Sequence, residues 1–337
     1  MSTQRTSGFK RLNVGLAAHG FGYLGGFFGA GTSRACPEPL DIFSLMDLAY
    51  DYRLSGVEVP PTEYLTDHSS DALARVREHA TKRGLYIVLD TGVVDAQEIE
   101  GVIPIAKALG VKTIRATAST VLCGDRSSVR DTWATHMSGV LKGLRAVRGP
   151  AEEAGVTIAV ENHQDLTSEE LVELCRAVGG KNIGVTLDSL NPLAVVEDPL
   201  EFARRVGPYI KNVHLKDYRI YSTPEGFRLV RCSIGDGVLD VRGLYAVLRD
   251  VAPDATVALE LAALEARHVR FLEDQYWTGF PPRRAEEILP VLRLREASAR
   301  PKDEEWRTPW ELGAGHEVIE DYEITQFRES VAYLNTI

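Results

Sequence analysis

The chain has 337 residues, 44% hydrophobic and 26% charged, enough to bury one large core or two smaller ones and with no compositional mark of disorder. Its formal net charge of -10, with basic residues scattered along the chain, repels phosphate backbones and argues against nonspecific nucleic-acid binding. Cys36, Cys123, Cys175 and Cys232 lie far apart without a CxxC, so neither a thiolate zinc site nor a disulfide framework is indicated, and reduced thiols in the cytoplasm are expected. Arg5, Lys10 and Arg11 are followed by no apolar signal-peptide core, and no run approaches the ~18 apolar residues of a membrane span.

In chain order, LNVGLAAHG (12–20) predicts a strand ending at His19. The glycine-rich stretch GFGYLGGFFGAGT follows; its spacing does not match GxGxxG and no helix comes at once, so it is not a dinucleotide loop. It is expected to lie at the mouth of a site, where Phe21, Tyr23, Phe27 and Phe28 could cover a ligand. Amphipathic patterning from Pro39 to Leu54 predicts a helix before the short strand GVEVP, which has Glu58 near its end. A helix over 68–83, capped by Asp67 or Ser69 and ended by Gly84, precedes LYIVLDTGVV. The helix over 96–109 contains Pro104, which predicts a kink or a later start, and Gly110 closes it before VKTIRATAS. The helical region 127–154 is expected to break in two at Gly149 and Pro150.

Beyond this point the alternation is regular. VTIAVENHQD ends in Glu161, a helix covers 168–177, IGVTLDSLN ends in Asp188, a helix covers 199–206, and IKNVHLKDY ends in His214. The spacings, 161 to 188 and 188 to 214, match one strand-helix unit of a barrel in which eight units take ~250 residues. The longer step from His214 to Glu260 is explained by RIYSTPEGFRLVRCSIGDG (219–237), a hairpin-like insertion centred on Pro224, Glu225 and Gly226. Helix 241–252 then leads to TVALELAAL. Strands beginning at 12, 56, 85, 111, 156, 183, 210 and 256 select an α/β fold of the (β/α)8 TIM-barrel type over residues 12–299, rather than an open doubly wound sheet. The aromatic and proline-rich loop DQYWTGFPPR and a closing helix, 283–299, complete it. Residues 300–337, with Trp306 and Trp310, form a C-terminal extension expected to contact another subunit.

Four apolar runs thus end in metal-seeking side chains: Glu161, Asp188, His214 and Glu260. In a barrel of this type the C-terminal strand ends meet at one face, so the four converge. Each alone is more often a cap, a surface charge or a packing residue. At four successive strand ends they are expected to bind a divalent cation, because buried carboxylates are costly without one. Three carboxylates and one imidazole suit Mn2+, Mg2+ or Co2+ and leave positions for substrate. Glu161, Glu260 and His163 are the catalytic candidates. His163 lies two residues beyond Glu161 on an extended strand end, hence on the same side, where it is either a base or an orienter of Glu161. Lys216 stands in the same relation to His214, and His19, Asn191, Tyr23 and Trp277 are further candidates for substrate contact.

AVENHQD, LDSLN, NVHLKD, the GDG of SIGDG, and LELA together resemble the xylose-isomerase-like superfamily of sugar isomerases and epimerases over residues 12–299. That resemblance implies a TIM barrel in which Glu161, Asp188, His214 and Glu260 bind a divalent cation, often manganese. It also implies a reaction that removes a proton beside a carbonyl and stabilises the enediolate formed. Asn191 stands where ketose 3-epimerases of the superfamily carry a histidine, which puts that particular reaction in doubt. The ENH form, the long insertion after His214, the YWTGFPPR loop and the extension are similar to the large subunit of bacterial C-glycoside deglycosidases. This second resemblance implies cleavage of the carbon-carbon bond between a 3-oxo-glucosyl unit and an aromatic aglycone, beside a small partner subunit or within a homo-oligomer. The alternatives are a sugar or inositol-derivative isomerase, epimerase or dehydratase, and, from a different class, a non-catalytic barrel subunit.

Overall fold

The computed structural model describes residues 12–261 and 264–337. Eight parallel strands close into a barrel: β1 (Val14–Ala17), β2 (Gly56–Val59), β3 (Tyr86–Val93), β4 (Thr113–Thr117), β5 (Thr157–Glu161), β6 (Ile183–Asp188), β7 (Ile210–Leu215) and β10 (Thr256–Leu259). β10 closes the ring between β7 and β1. β8 (Asp217–Thr223) and β9 (Gly226–Cys232) form an antiparallel hairpin, and β11 (Arg267–Val269) adds to β9 as a separate three-stranded sheet. The turn lies between Thr223 and Gly226, so the predicted insertion at 219–237 is a hairpin whose first strand begins two residues earlier.

The strands lie flat against helices on their outer side and against each other's side chains within, so they read as apolar runs with little alternation. The helices are α1 (Ile42–Asp51), the single turn α2 (Pro61–Tyr64), α3 (Ser70–Arg83), α4 (Ala96–Leu109), α5 (Trp133–Ala154), α6 (Ser168–Val178), α7 (Pro199–Val206), α8 (Val241–Val251), α9 (Ala285–Ser298) and α10 (His316–Leu334). α3 starts on Ser69, whose hydroxyl accepts the Ala72 N–H; Asp67 in turn accepts the Ser69 N–H, so both predicted residues serve the same terminus. Gly84 ends it in the left-handed conformation.

The prolines do not set the helix limits. α4 begins at Ala96 with Asp95 as its cap, so it does not start late, and Pro104 lies within it, flanked by the buried Ile103 and Ile105. α5 starts later than expected, at Trp133, and is not broken at Gly149 and Pro150. Pro150 lies in the last turn and forfeits one backbone bond there, while Val147 and Ala151, both fully buried, hold the helix to the barrel on either side.

At the opposite end of the barrel from the strand C-termini, Gly15 and Gly56 make room for Tyr86. A Cβ on Gly15 would lie 2.5 Å from the Tyr86 hydroxyl and 2.6 Å from the Gly56 carbonyl oxygen, and that hydroxyl donates to the Val257 carbonyl at 2.7 Å.

The C-terminal extension packs on its own barrel. Phe327 of α10 meets Phe21 and Tyr52, Trp310 meets Tyr23 and Phe28, and the fully buried Glu323 accepts the backbone N–H groups of both Tyr23 and Leu24. Among the described residues, all four cysteines are free and no helix is long and apolar enough to cross a membrane.

Candidate metal centre

β5, β6 and β7 deliver Glu161, Asp188 and His214 at or one residue before their C-terminal ends, and Glu260 follows the last residue of β10. Asp188 and His214 are register partners across β6 and β7, and Ala258 pairs with His214 from the other side. Adjacent strands of a closed barrel therefore present the four side chains to one point. One ligand atom of each lies within 4.8 Å of the others, and all four residues are buried.

Around this point every proposed ligand has a fixed neighbour. The His214 Nε2 lies 2.7 Å from the Glu58 carboxylate, whose other oxygen accepts from Asn212 at 2.8 Å. The Arg115 guanidinium bridges two carboxylates, donating from Nε to Glu161 at 2.5 Å and from Nη1 to Asp90 at 2.5 Å. Asn191 donates to Asp188 at 2.6 Å and more loosely to Glu161 at 3.4 Å. The side-chain amide of Asn162 holds the backbone of Asp188 from both sides, at 2.7 and 3.1 Å. Lys216 Nζ is 2.5 Å from Asp188 and 2.8 Å from Glu260, the second contact lacking hydrogen-bond alignment.

The test of whether this set fits a metal is His214. An ionised carboxylate can only accept, so the imidazole donates from Nε2 to Glu58 and its Nδ1 faces inward. That Nδ1 is buried without a hydrogen-bond partner, 3.2 Å from Glu260 Oε2, which makes no hydrogen bond but has the Lys216 ammonium 2.8 Å away, and 3.8 Å from Glu161 Oε2. A lone pair facing two carboxylates is repulsive unless a cation stands between them. Burial opposes the charged imidazole, yet Glu58, Glu260 and Glu161 raise His214 well above its ordinary pKa, which expresses the same demand for positive charge.

The surplus of anions extends through the whole cluster. Five buried carboxylates, Glu58, Asp90, Glu161, Asp188 and Glu260, share it with two fixed cations, Arg115 and Lys216. Burial raises Glu161, but Arg115 and His214 outweigh it and hold the carboxylate well below its usual range. Burial also raises Asp188 against the pull of Lys216; with an ammonium at 2.5 Å and the Asn191 amide at 2.6 Å, the ionised form is the one assigned. Three hard oxygen donors, one imidazole and an excess of negative charge fit a divalent cation such as Mn2+ or Mg2+.

A model of the xylose isomerase-like TIM barrel matches residues 46–278. The chain belongs to that family. It is 25% identical over 271 residues to the uncharacterized protein YihM of Escherichia coli, covering 77% of this chain and 80% of that one. It is 23% identical over 244 residues to a 3-oxo-isoapionate decarboxylase of Pectobacterium atrosepticum, covering 71% and 81%. Among solved structures, a 3-keto-D-glucoside 4-epimerase from E. coli superposes with a TM-score of 0.56 at 14% identity, over 85% of this chain and all of the other.

The remaining expected residues of this family member divide by what they touch. His163 is half-buried, and its Nδ1 is enclosed without a partner. Burial pushes it down to about 4, with Arg115 and Lys216 adding to the effect against Glu161. His19 reaches Asp90 at 3.0 Å, and its side chain, 35% exposed, is far more open than the ligands. The amide of Asn191 is committed to Asp188 and Glu161, so it orients ligands instead of facing substrate. Tyr23 is 2% exposed and hydrogen-bonds His316 of α10 at 3.0 Å; it is a tie to the extension, not an open contact. Trp277 donates to the Phe271 carbonyl at 2.8 Å and packs with Tyr276 and Phe280, away from the ligand cluster's contacts. Of the four aromatic residues in the first loop, Phe21, Tyr23 and Phe28 pack under the extension, and Phe27 is the one that packs on His19, 4.1 Å between ring centroids with the planes tilted by 33°.

Glu58, Asp90 and Arg115 are the site residues that reading the strand ends did not single out for the site. Glu58 was visible near a strand end. Asp90 and Arg115 are register partners in mid-strand, and their signal was a charge inside an apolar run, which must be paired if the strand is buried.

Proposed function

We propose that the chain is a divalent-metal-dependent enzyme, with Mn2+ the best-fitting ion, that removes a proton beside the carbonyl of an oxidised sugar. Its narrower activity is cleavage of the carbon-carbon bond of a 3-oxo-C-glucoside. The observation that carries the reading is the inward-facing Nδ1 of His214, buried without a hydrogen-bond partner and aimed at the Glu260 and Glu161 carboxylates inside a cluster of five buried acids and two fixed cations. When bound, the metal supplies a Lewis acid that polarises the substrate carbonyl and acidifies the neighbouring C–H.

Glu161, Asp188, His214 and Glu260 hold the ion, and Glu58, Arg115 and Asn191 fix three of them in place. His163 is neutral at neutral pH and takes the proton from the carbon between the 3-oxo group and the anomeric carbon. The released electron pair forms the new double bond to the anomeric carbon as the bond to the aglycone breaks; the aglycone carbon recovers a proton. His19, held by Asp90, and Lys216, held by Asp188 and Glu260, would bind substrate oxygens, and Phe27 offers a ring to the sugar or aglycone. The relation to a 3-oxo-isoapionate decarboxylase supports a 3-oxo substrate. A small partner subunit or a second copy of the chain belongs to the same proposal.

Metal-loaded protein, incubated with a 3-oxo-C-glucoside and separately with free ketoses, tests the proposal by chromatography of the products. Release of aglycone from the glucoside is expected. Epimerised ketose with no aglycone would refute the cleavage, and failure to take up Mn2+, Mg2+ or Co2+ on titration would refute the metal enzyme altogether.

A further inference from the structure

The loop carrying His19 and Phe27 is fastened in part to the C-terminal extension. Glu323 of α10 accepts from the consecutive N–H groups of Tyr23 at 3.0 Å and Leu24 at 2.9 Å, one with each carboxylate oxygen. The same carboxylate pairs with Arg231 of β9 at 3.3 Å, and both side chains are at least 98% buried. Around this node, the Tyr23 hydroxyl meets His316, Arg34 donates to the Trp310 carbonyl at 2.8 Å and lies 3.6 Å above its ring, and Phe28 packs edge-on to Trp310. Four residues beyond Tyr23, Phe27 packs at a tilt on His19 and is stacked with Tyr64, whose hydroxyl donates to the Gly25 carbonyl at 3.3 Å.

We infer that Glu323 is a positioning residue for the active-site mouth: the C-terminal extension, through Glu323, sets Phe27 and His19 over the metal centre and so determines how the sugar ring is received. A buried carboxylate has one configuration that satisfies two adjacent N–H donors and a guanidinium together, and leaving such donors unsatisfied is costly. Glutamine at this position keeps the shape but turns one acceptor into a donor facing an N–H, and it leaves Arg231 buried without its anion. Among the described residues, the Glu323 node shares no hydrogen bond or ion pair with the four strand-end side chains; mouth and floor meet where His19 pairs with Asp90 at 3.0 Å, a contact that does not touch those four directly. The node can therefore be altered without changing a bond to any of the four.

The test uses the full-length, metal-loaded protein and Glu323→Gln. Hydrogen-deuterium exchange at the amides of residues 21–28 is expected to rise about tenfold, as for loss of a charge-assisted bond. The Mn2+ dissociation constant should stay within about twofold, because the ligands and their orienting partners are untouched. With the 3-oxo-C-glucoside, KM should rise about tenfold while kcat changes by less than about threefold. Should Glu323→Gln fail to fold, Tyr23→Phe removes the hydroxyl's tie to His316 at 3.0 Å and its longer contact with the Ala35 carbonyl at 3.4 Å, and should raise exchange at the same amides about threefold. Unchanged exchange at 21–28 in the folded variants, or a loss of metal affinity of the same size as the change in exchange, overturns the inference. The kinetic arm rests on the proposed function; if the wild type turns over no 3-oxo glucoside, exchange and metal binding still decide the role of Glu323, and the substrate reading alone falls.

Discussion

Glu58 makes a sharp test of the metal centre because it touches none of the space where an ion or substrate would sit. It holds His214 by Nε2 at 2.7 Å, and Asn212 holds Glu58 in turn at 2.8 Å; Asn212 is itself fixed, its carbonyl oxygen accepting from Thr256 at 2.6 Å. In Glu58→Gln the side chain keeps its length, but its NH2 must oppose either the imidazole N–H or the Asn212 amide. The imidazole is then free to change tautomer or rotate, and Nδ1 no longer faces Glu260 as a committed donor to the ion. Removing such an outer partner weakens metal affinity by ~10- to 100-fold, which is about 1.4–2.8 kcal/mol. Equilibrium dialysis against Mn2+ near neutral pH, with metal read by elemental analysis, measures this without any substrate. A dissociation constant within about twofold of the wild type would mean that the tautomer of His214 is not set by Glu58, and the account of the inward-facing Nδ1 would be wrong.

Three further outcomes follow from other parts of the molecule. His163→Ala should retain its metal, read by elemental analysis, and lose ~100-fold or more in turnover; intact turnover would return His163 to orienting Glu161. Asp165, fully buried, accepts from Ser119 at 2.7 Å and from the Leu166 N–H at 2.9 Å, and burial pushes its carboxyl up to about 6 from an ordinary 3.8. A raised carboxyl pKa favours the fold in acid and loses that contribution as pH rises from about 4 through about 6, so Asp165→Asn should gain up to ~3 kcal/mol at pH 8 and little at pH 4. Thermal melts of both proteins across that range check the sign; a gain independent of pH would refute it. Gly15→Ala should lose about 1–3 kcal/mol in denaturant titrations, because its Cβ would press on the Tyr86 hydroxyl and the backbone oxygen of Gly56, of which the latter cannot move aside cheaply.

What could be read from the sequence and what could not differ by the range of the forces involved. The barrel and its four candidate strand-end ligands were legible because each depends on a local pattern: an apolar run, a polar residue where it stops, and, but for the hairpin insertion, a regular spacing to the next. Closure of the ring then brings the four together without further information. Arg115 was not legible in this way, since VKTIRATAS is equally a strand with its charge turned toward helices; its role depends on Asp90 one strand back and Glu161 one strand on. Pro150 misled for the complementary reason, that a local rule for helix breaking was outweighed by packing on both sides of it. How the extension packs on its own chain was not legible: Phe327 and Trp310 meet aromatic residues of the first loop, and Phe327 also meets Tyr52, while a contact with another subunit stays part of the proposed function. Nothing near Glu323 in sequence announces Tyr23 and Leu24, 300 and 299 residues away, so only the fold reveals that a carboxylate in the last helix bears on the loop behind the first strand. The candidate ligands of this centre can therefore be read one strand at a time, whereas the residues that orient them and shape the mouth exist only as pairs, and an alteration outside residues 12–299 should be able to change recognition while leaving metal affinity as it is.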